Sequence, residues 1–201
     1  MTLTEMRGLV RRDLKDEDAT DYRWTNDEVD RAIQRALAEL SRYVPREMKT
    51  TKATTSGSPD IDISTLTDRI SVDRVEFPVG ETPRVFQRFT VYLDILTLSG
   101  GIEGDGTNCY IYWSAVHTLS TTSTIPTYLE DLVALGAAAY AITAQSQYSS
   151  NLANTGGENV DRDYAYWARD AMKQFKDQLR QFGKSRKLKI SRFYSAENGE
   201  D

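Results

Sequence analysis

The sequence predicts an α+β fold that is mainly α, in which a bundle of about four helices carries an inserted small antiparallel β-sheet and an extended C-terminal tail. Three observations predict it: apolar residues recur at helical spacing towards both ends, they alternate in the middle, and a basic segment follows the last helical pattern. We therefore divide the chain into a helical domain (1–50 and 124–183), an inserted β-sheet region (55–120) and a C-terminal arm (184–201).

The first two helical patterns, at 2–14 and 25–44, are the best-marked elements of the chain. Each begins with a capping box, in which a Thr side chain and a Glu three residues later satisfy each other's backbone N–H groups. The box residues are Thr2 with Glu5 and Thr25 with Glu28. Trp24 stands where a hydrophobic staple would pack on Val29, and Pro45 ends the second helix.

After the second helix the period of the pattern changes. Residues 49–58 are polar and small and predict a loop. Alternating apolar residues then predict strands at 60–63, 69–77, 89–95 and 109–113. A one-residue slip between Val72 and Val75 predicts a β-bulge, and the clean alternation of 89–95 predicts one continuous strand. Because strands so close in sequence usually pair antiparallel, we expect one small sheet.

Two further helices are predicted after the sheet. Residues 127–147 follow Pro126 and have a centre of small residues, which lets another helix approach closely. Residues 149–158 form a turn-rich connection to a fourth helix over 159–182. Gly183 fits the left-handed position after a helix end, so we expect the helix to stop there.

Composition and charge exclude several classes of function. The net charge of −5 argues against broad, sequence-independent binding of nucleic acid, which needs many basic contacts to phosphate. No apolar run reaches the roughly 18 residues of a membrane span, so we expect no membrane contact, and the first residues lack the apolar core of a secretion signal. The single cysteine, Cys109, excludes an internal disulfide and a thiolate cluster for zinc.

The residues with catalytic potential predict structural roles. His117 is the only histidine, so a His-rich metal site cannot form, and its place beside a strand end is typical of a structural residue. A nucleophile pair of Cys109 and His117 is conceivable. However, Cys109 shares a strand face with Ile111 and Trp113, which favours a buried, inert thiol.

The acidic residues of the insert also fit surface positions. Asp60 and Asp62 alternate with isoleucines and predict the solvated face of an edge strand. Glu103, Asp105 and Asn108 predict a solvated hairpin loop, because their spacing fails the EF-hand rule. Paired carboxylates of this kind could serve a small polysaccharide-acting enzyme, although nothing positions a second partner. We expect neither a cofactor nor a metal.

The basic segment near the C-terminus admits three hypotheses: a solvated tail, a contact to nucleic acid, or an arm that folds onto a protein partner. Interleaved apolar residues favour the third, because a pure polyelectrolyte has no need of apolar anchors. The candidate arm residues are Lys184, Arg186, Lys187, Leu188, Lys189, Ile190, Arg192, Phe193 and Tyr194. The alternation at 187–190 would also let the arm add as a strand to an exposed sheet edge.

Several short segments, taken together, carry a resemblance to a known family. They are WTNDEV at 24–29, RAI at 31–33, YWSAVHTL at 112–119, IP at 125–126 and LGAAAYA at 135–141. With these segments the chain resembles the head–tail connector adaptor proteins of tailed bacteriophages. The resemblance covers most of the sequence, through short motifs.

The resemblance implies a structural role and no enzymatic activity. Adaptors of this family form a homo-oligomeric ring, commonly of twelve copies, under the portal protein in the virion neck after assembly in the host cytoplasm. The ring extends the DNA channel and carries the next neck or tail protein, and the C-terminal arm commonly docks into the portal. An acidic body would let DNA pass through the channel without specific binding.

Other functions stay open at this point. A head-closure or tail-completion protein of the same neck is the nearest alternative. A small polysaccharide-acting enzyme and a DNA-binding module that uses the basic tail are hypotheses of different classes.

Overall fold

A computed structural model describes residues 1–149 and 160–192, with side chains described for 1–145 and 166–184. The chain forms two compact units: a helical unit, Met1–Val44 with His117–Asp201, and a β unit, Pro45–Val116. Helix accounts for 41% and strand for 25% of the chain. The predicted α+β class is therefore confirmed, but the finer expectation of a mainly α fold is not.

The helical unit is built around its third helix. Its elements are α1 (Leu3–Leu14), α2 (Asn26–Tyr43), a 3₁₀ turn (Thr127–Leu129), α3 (Glu130–Ser149) and α4 (Val160–Arg192). α3 contacts α1, α2 and α4, so the apolar stripes of the other helices converge on it. One core cluster results, and it contains buried apolar residues from all four helices.

The predicted start of α2 is confirmed in detail. The Thr25 hydroxyl accepts a hydrogen bond from the Glu28 N–H at 3.3 Å, and the Glu28 carboxylate accepts one from the Thr25 N–H at 2.8 Å. Such a box satisfies two donors that the first helical turn leaves without partners. Trp24 is buried at 4% exposure in the same core cluster as Val29.

α3 and α4 approach each other closely because α3 carries Gly136 at the contact. A Cβ built on Gly136 would lie only 2.7 Å from the ring of Phe175. Phe175 is fully buried and meets the ring of Tyr140 edge-on, with 6.5 Å between the centroids. The small-residue centre of the third helix, noted in the sequence, is thus a helix-packing surface.

The β unit contains two antiparallel sheets where the sequence led us to expect one. The strands are β1 (Arg46–Ala53), β2 (Asp60–Asp62), β3 (Arg69–Glu76), β4 (Phe86–Gln87), β5 (Phe89–Tyr92), β6 (Ile95–Leu98) and β7 (Asn108–Ala115). They form a four-stranded sheet in the order β1-β7-β3-β4 and a three-stranded sheet in the order β2-β6-β5. Their inner faces share one apolar core that includes Ile63, Leu96 and Ile111.

The expected loop at 49–58 is wrong over its first half, which belongs to β1. This edge strand pairs with β7 along its whole length, from Arg46 opposite Ala115 to Ala53 opposite Asn108. Its residues alternate between half-buried and exposed, so one face is shielded although the strand is mostly polar. β-Branched Thr suits such a surface, which explains how a Lys/Thr-rich stretch forms a strand.

The expected single strand at 89–95 is also wrong. The chain turns at Leu93 and Asp94, so that β5 and β6 form a tight hairpin in which Tyr92 pairs with Ile95. Other details of the insert are confirmed. The register of β3 shifts between Val72 and Arg74, where the bulge was predicted, and β2 is an edge strand with solvent-exposed carboxylates.

α4 ends later than predicted. The helix passes through Gly183 and continues to Arg192, so the expected stop at Gly183 is wrong. Gly183 lies against Tyr43, where a Cβ would be 3.3 Å from the Tyr43 carbonyl oxygen. The extended tail is not confirmed as far as Arg192, and the connection predicted at 149–158 falls outside the described residues from position 150 on. Over 1–149 and 160–192, no helix is long and apolar enough to cross a membrane.

Candidate interaction surfaces

The structure places most of the candidate arm residues on a helix. Lys184 is exposed at the end of the described side chains, and six others lie on the α4 backbone: Arg186, Lys187, Leu188, Lys189, Ile190 and Arg192. Phe193 and Tyr194 lie outside the described residues. The backbone at 187–190 is helical, not in the extended form that addition to a sheet edge would use, and such addition stays a prediction.

α4 also carries a row of basic residues that the sequence analysis missed. The row, called here the basic stripe, consists of Arg169, Lys173, Lys176, Arg180 and Lys184. Steps of three and four residues keep it on one side of the helix over roughly 22 Å, at 1.5 Å per residue. It runs beside the face that buries Phe175 and Leu179. The sequence alone could have shown this row, because its basic residues recur at helical spacing.

Two of the five charges of the basic stripe are paired among the described side chains, in both cases at the surface. Arg169 pairs with Asp170 at 3.6 Å and Arg180 with Asp177 at 3.1 Å. These side chains are all more than half exposed, and such pairs contribute little. Among residues with described side chains, none forms an ion pair with Lys173, Lys176 or Lys184.

The connection between α1 and α2 presents exposed carboxylates together with the basic Lys15 and Arg23, and a buried ion pair fixes its path. Arg11 donates to the Asp16 carboxylate and, at 2.9 Å, to the Trp24 carbonyl. Asp16 in turn accepts from the Arg23 N–H at 2.7 Å. Both members of the pair are at least 94% buried, so loss of either would leave a buried charge without its partner. The neighbouring acidic residues are thereby held at the surface.

We call these surface residues the acidic link. They are Glu17, Asp18 and Asp21 in the connection and Asp27 and Glu28 in the first turn of α2, and all five are exposed. Asp18 accepts from Thr20, Glu28 caps α2, and Glu17 makes a long, exposed contact to Arg12 at 3.7 Å. No residue of the acidic link contacts the basic stripe within the part of the chain that the structure describes.

The β5–β6 hairpin displays an apolar tip. Its four large residues are exposed to different degrees: Val91 by 41%, Tyr92 by 80%, Leu93 by 76% and Ile95 by 42%. Scattered apolar residues are normal on a protein surface, whereas a contiguous group usually marks an interaction site. We call this group the hairpin tip.

Arg69 holds the hairpin tip in place. Its guanidinium donates to the carbonyls of Ile63 and Leu93, each at 3.0 Å, and to the Asp94 carboxylate at 3.1 Å. Leu93 has a φ of 51°, a left-handed conformation that costs a residue with a Cβ about 1–2 kcal/mol. Leu93 thus combines a strained backbone with a side chain that is 76% exposed.

His117 has the structural role predicted for it. Its Nδ1 lies 2.9 Å from the Thr124 carbonyl oxygen, its Nε2 lies 2.9 Å from the Val44 carbonyl oxygen, and its backbone N–H donates to the Ser41 hydroxyl. The side chain is buried. Both ring nitrogens are therefore engaged by the backbone of the helical unit.

The other candidates for chemistry are in unreactive surroundings. Cys109 is fully buried as predicted, and burial raises the pKa of its thiol, which disfavours the reactive thiolate. Hydrogen bonds from Ser64 lower the pKa of Asp62, and those from Thr107 lower the pKa of Asp105. A general acid in a glycosidase needs the opposite shift. No group of three or more potential metal ligands occurs among the described residues.

The helical unit thus carries two oppositely charged surfaces, and the β unit carries an apolar one. No family model matches the sequence, and no curated protein matches it either.

Proposed function

We propose that this chain is a structural virion protein of a tailed bacteriophage: an adaptor that forms a ring under the portal, extends the DNA channel and joins head to tail. One observation carries the proposal. Each unit presents its own docking feature, the hairpin tip in the β unit and the basic end of α4 in the helical unit. A connector needs such features because it binds two different partners.

The basic end of α4 is the proposed portal-docking element. The helix leads directly into the arm, and its backbone is helical to Arg192. An arm that is already ordered loses less conformational entropy on docking than an extended tail would. Its Lys and Arg residues suit an acidic groove on the portal, and repetition around a ring would add avidity.

The hairpin tip is the proposed contact to the next neck or tail protein. Tyr92 and Leu93 are the most exposed large apolar residues described, and Arg69 fixes the turn that presents them. Rigid apolar anchors bind well because little freedom is lost when they are buried. The net charge of −5 supports passage of DNA without specific binding.

No observation favours the polysaccharide-acting enzyme as a second candidate. The lowered pKa values of Asp62 and Asp105 keep these carboxylates ionised, so neither suits the role of general acid. Their hydrogen bonds from Ser64 and Thr107 fit turn-stabilising roles in the β unit.

Deletion of residues 184–201 tests the proposal. The shortened chain and the full chain are mixed with portal rings of the same phage, and bound copies are measured by co-sedimentation and negative-stain imaging. We expect docking to weaken at least about tenfold, which corresponds to about 1.4 kcal/mol. Undiminished docking of the shortened chain would rule out the arm as the portal-docking element.

A second variant serves as the matched control. Tyr92→Ala with Leu93→Ala removes apolar surface from the hairpin tip and leaves the arm intact. We expect this variant to dock on portal rings like the unchanged chain and to lose the tail-side partner. Circular dichroism and thermal unfolding establish that both variants are folded.

A further inference from the structure

The basic stripe of α4 is a surface of one charge sign that suits a polyanionic partner. It holds five basic residues on one side of a helix, and three of them have no ion pair among the described side chains. Like charges at steps of three and four residues repel one another and destabilise the helix slightly. An opposing charged surface would relieve that repulsion.

A second copy of the same chain supplies such a surface. The acidic link also holds five charged residues, all exposed and of opposite sign. It lies at the start of α2, whereas Gly183, next to the last residue of the stripe, lies against Tyr43 at the other end of α2. The two surfaces make no ion pair with each other within one chain as far as it is described, and their opposite charges suit a contact between copies.

We infer that copies join head to tail, with the basic stripe of one copy against the acidic link of the next. A contact between two different patches is heterologous, and repetition of it closes into a ring when the rotation permits. The inference rests on the proposed function, because a ring is what an adaptor forms, and it adds the surface that joins neighbouring copies. Duplex DNA is the competing polyanion, and the net charge of −5 disfavours it.

Charge exchange between two variants tests the contact. Lys173→Glu with Arg180→Glu makes the stripe less basic, and Glu17→Lys with Asp21→Lys makes the link less acidic. Each variant then loses most of the charge on one side of its own head-to-tail contact, so we expect each to associate at least about tenfold more weakly than the unchanged chain. An equimolar mixture restores pairwise association, because the unaltered stripe of one variant meets the unaltered link of the other.

Sedimentation velocity measures the association. The unchanged chain should form species larger than a monomer at roughly 0.1 M salt and dissociate towards roughly 1 M, since the Debye length falls from about 10 Å to about 3 Å. Arg84→Glu with Arg88→Glu is the matched control: it changes the net charge by the same amount at exposed positions of the β unit, which holds neither surface, and should associate normally. Lys173→Gln with Arg180→Gln replaces the reversal variant if that one unfolds.

Three outcomes would overturn the inference. They are an unchanged chain that stays monomeric at low salt, an association that does not respond to salt, and a mixture of folded variants that stays dissociated. The inference would also be overturned if the unchanged chain bound duplex DNA and Lys173→Glu with Arg180→Glu abolished that binding. The stripe would then be a phosphate-binding surface. Portal docking is measured separately with a deletion of 185–201, which spares Lys184 of the stripe, so the proposed function can stand when this contact fails.

Discussion

The sequence has a clear apolar pattern in each unit, but the pattern in α2 is buried and part of the pattern in the β unit is exposed. Along α2, Val29, Ile33 and Leu40 are at most 1% exposed because they lie in the core cluster of the helical unit, whereas the hairpin tip is at least 41% exposed. An apolar pattern therefore identifies a face but not what covers it. The helical unit buries its aliphatic pattern for stability, and the β unit presents part of its own pattern to solvent.

The largest expected effect is the loss of stability when a buried side chain of the helical unit is truncated. Phe175→Ala should lower the free energy of unfolding by about 3–5 kcal/mol, since it removes a fully buried ring and leaves a cavity against Gly136. Phe182→Ala, on the same helix but 37% exposed, should cost much less. Urea unfolding measures both, and equal losses would contradict the account of the α3–α4 contact.

Gly136→Ala tests the same α3–α4 contact from the side of α3. Because a Cβ there would lie 2.7 Å from the Phe175 ring, the substitution should cost about 1–3 kcal/mol. Adding Phe175→Leu to Gly136→Ala should cost less than the sum of the two single changes. Strict additivity in a double-mutant cycle would show that the two residues do not meet.

In the β unit, Arg69→Met should loosen the hairpin. The change removes the hydrogen bonds to Ile63, Leu93 and Asp94, which we expect to lower local stability by about 1–2 kcal/mol. Hydrogen exchange at the Ile63 amide, which bonds the Asp94 carbonyl, should become faster. Arg88→Met is the exposed control, and equal exchange rates in both variants would contradict the role of Arg69.

Leu93→Asn separates the effect of Leu93 on stability from its contribution to the exposed apolar surface of the hairpin tip. Asn tolerates a φ of 51° better than Leu, so the variant should be more stable by up to about 1 kcal/mol while it loses apolar surface for docking. Tyr92→Asn removes a similar exposed side chain without changing the left-handed residue. A stability gain in the Tyr92 variant, or none in the Leu93 variant, would show that strain is not stored at Leu93.

The smallest expected effect is a pH dependence at Asp13. Partial desolvation of the exposed Asp13, and then the charge of Asp131, raise the pKa of Asp13, so the folded state binds this proton more tightly than the unfolded state does. The ionised form therefore destabilises the fold as the pH rises through the raised pKa. Asp13→Asn should raise the Tm slightly at neutral pH, and the gain should disappear towards about pH 4. A gain that persists in acid would contradict this assignment.

The sequence was sufficient where local chemistry and burial agree. The capping boxes at Thr2 and Thr25 formed as predicted, because cap and stripe favour the same helix. The bulge in β3 and the exposed carboxylates of β2 could be predicted from the sequence equally well. In these elements a short stretch of sequence contains most of the information that determines its conformation.

It was insufficient where partners distant in sequence decide the structure. β1 forms because β7 supplies its hydrogen bonds, and the turn at Leu93 lacks the Gly or Asn that would have indicated it. The clamp by Arg69 depends on a contact across 24 residues. Gly183 is compatible with a helix interior, so its ability to end a helix did not decide where α4 stops.

The most direct test of the central claim, that this chain docks on a portal ring through its C-terminal arm, is electron microscopy of portal rings incubated with the full chain and with the 184–201 deletion. The account predicts an added ring of density on one face of the portal with the full chain and none with the deletion. Portal rings that look the same with and without the full chain, or added density that survives the deletion, would contradict it.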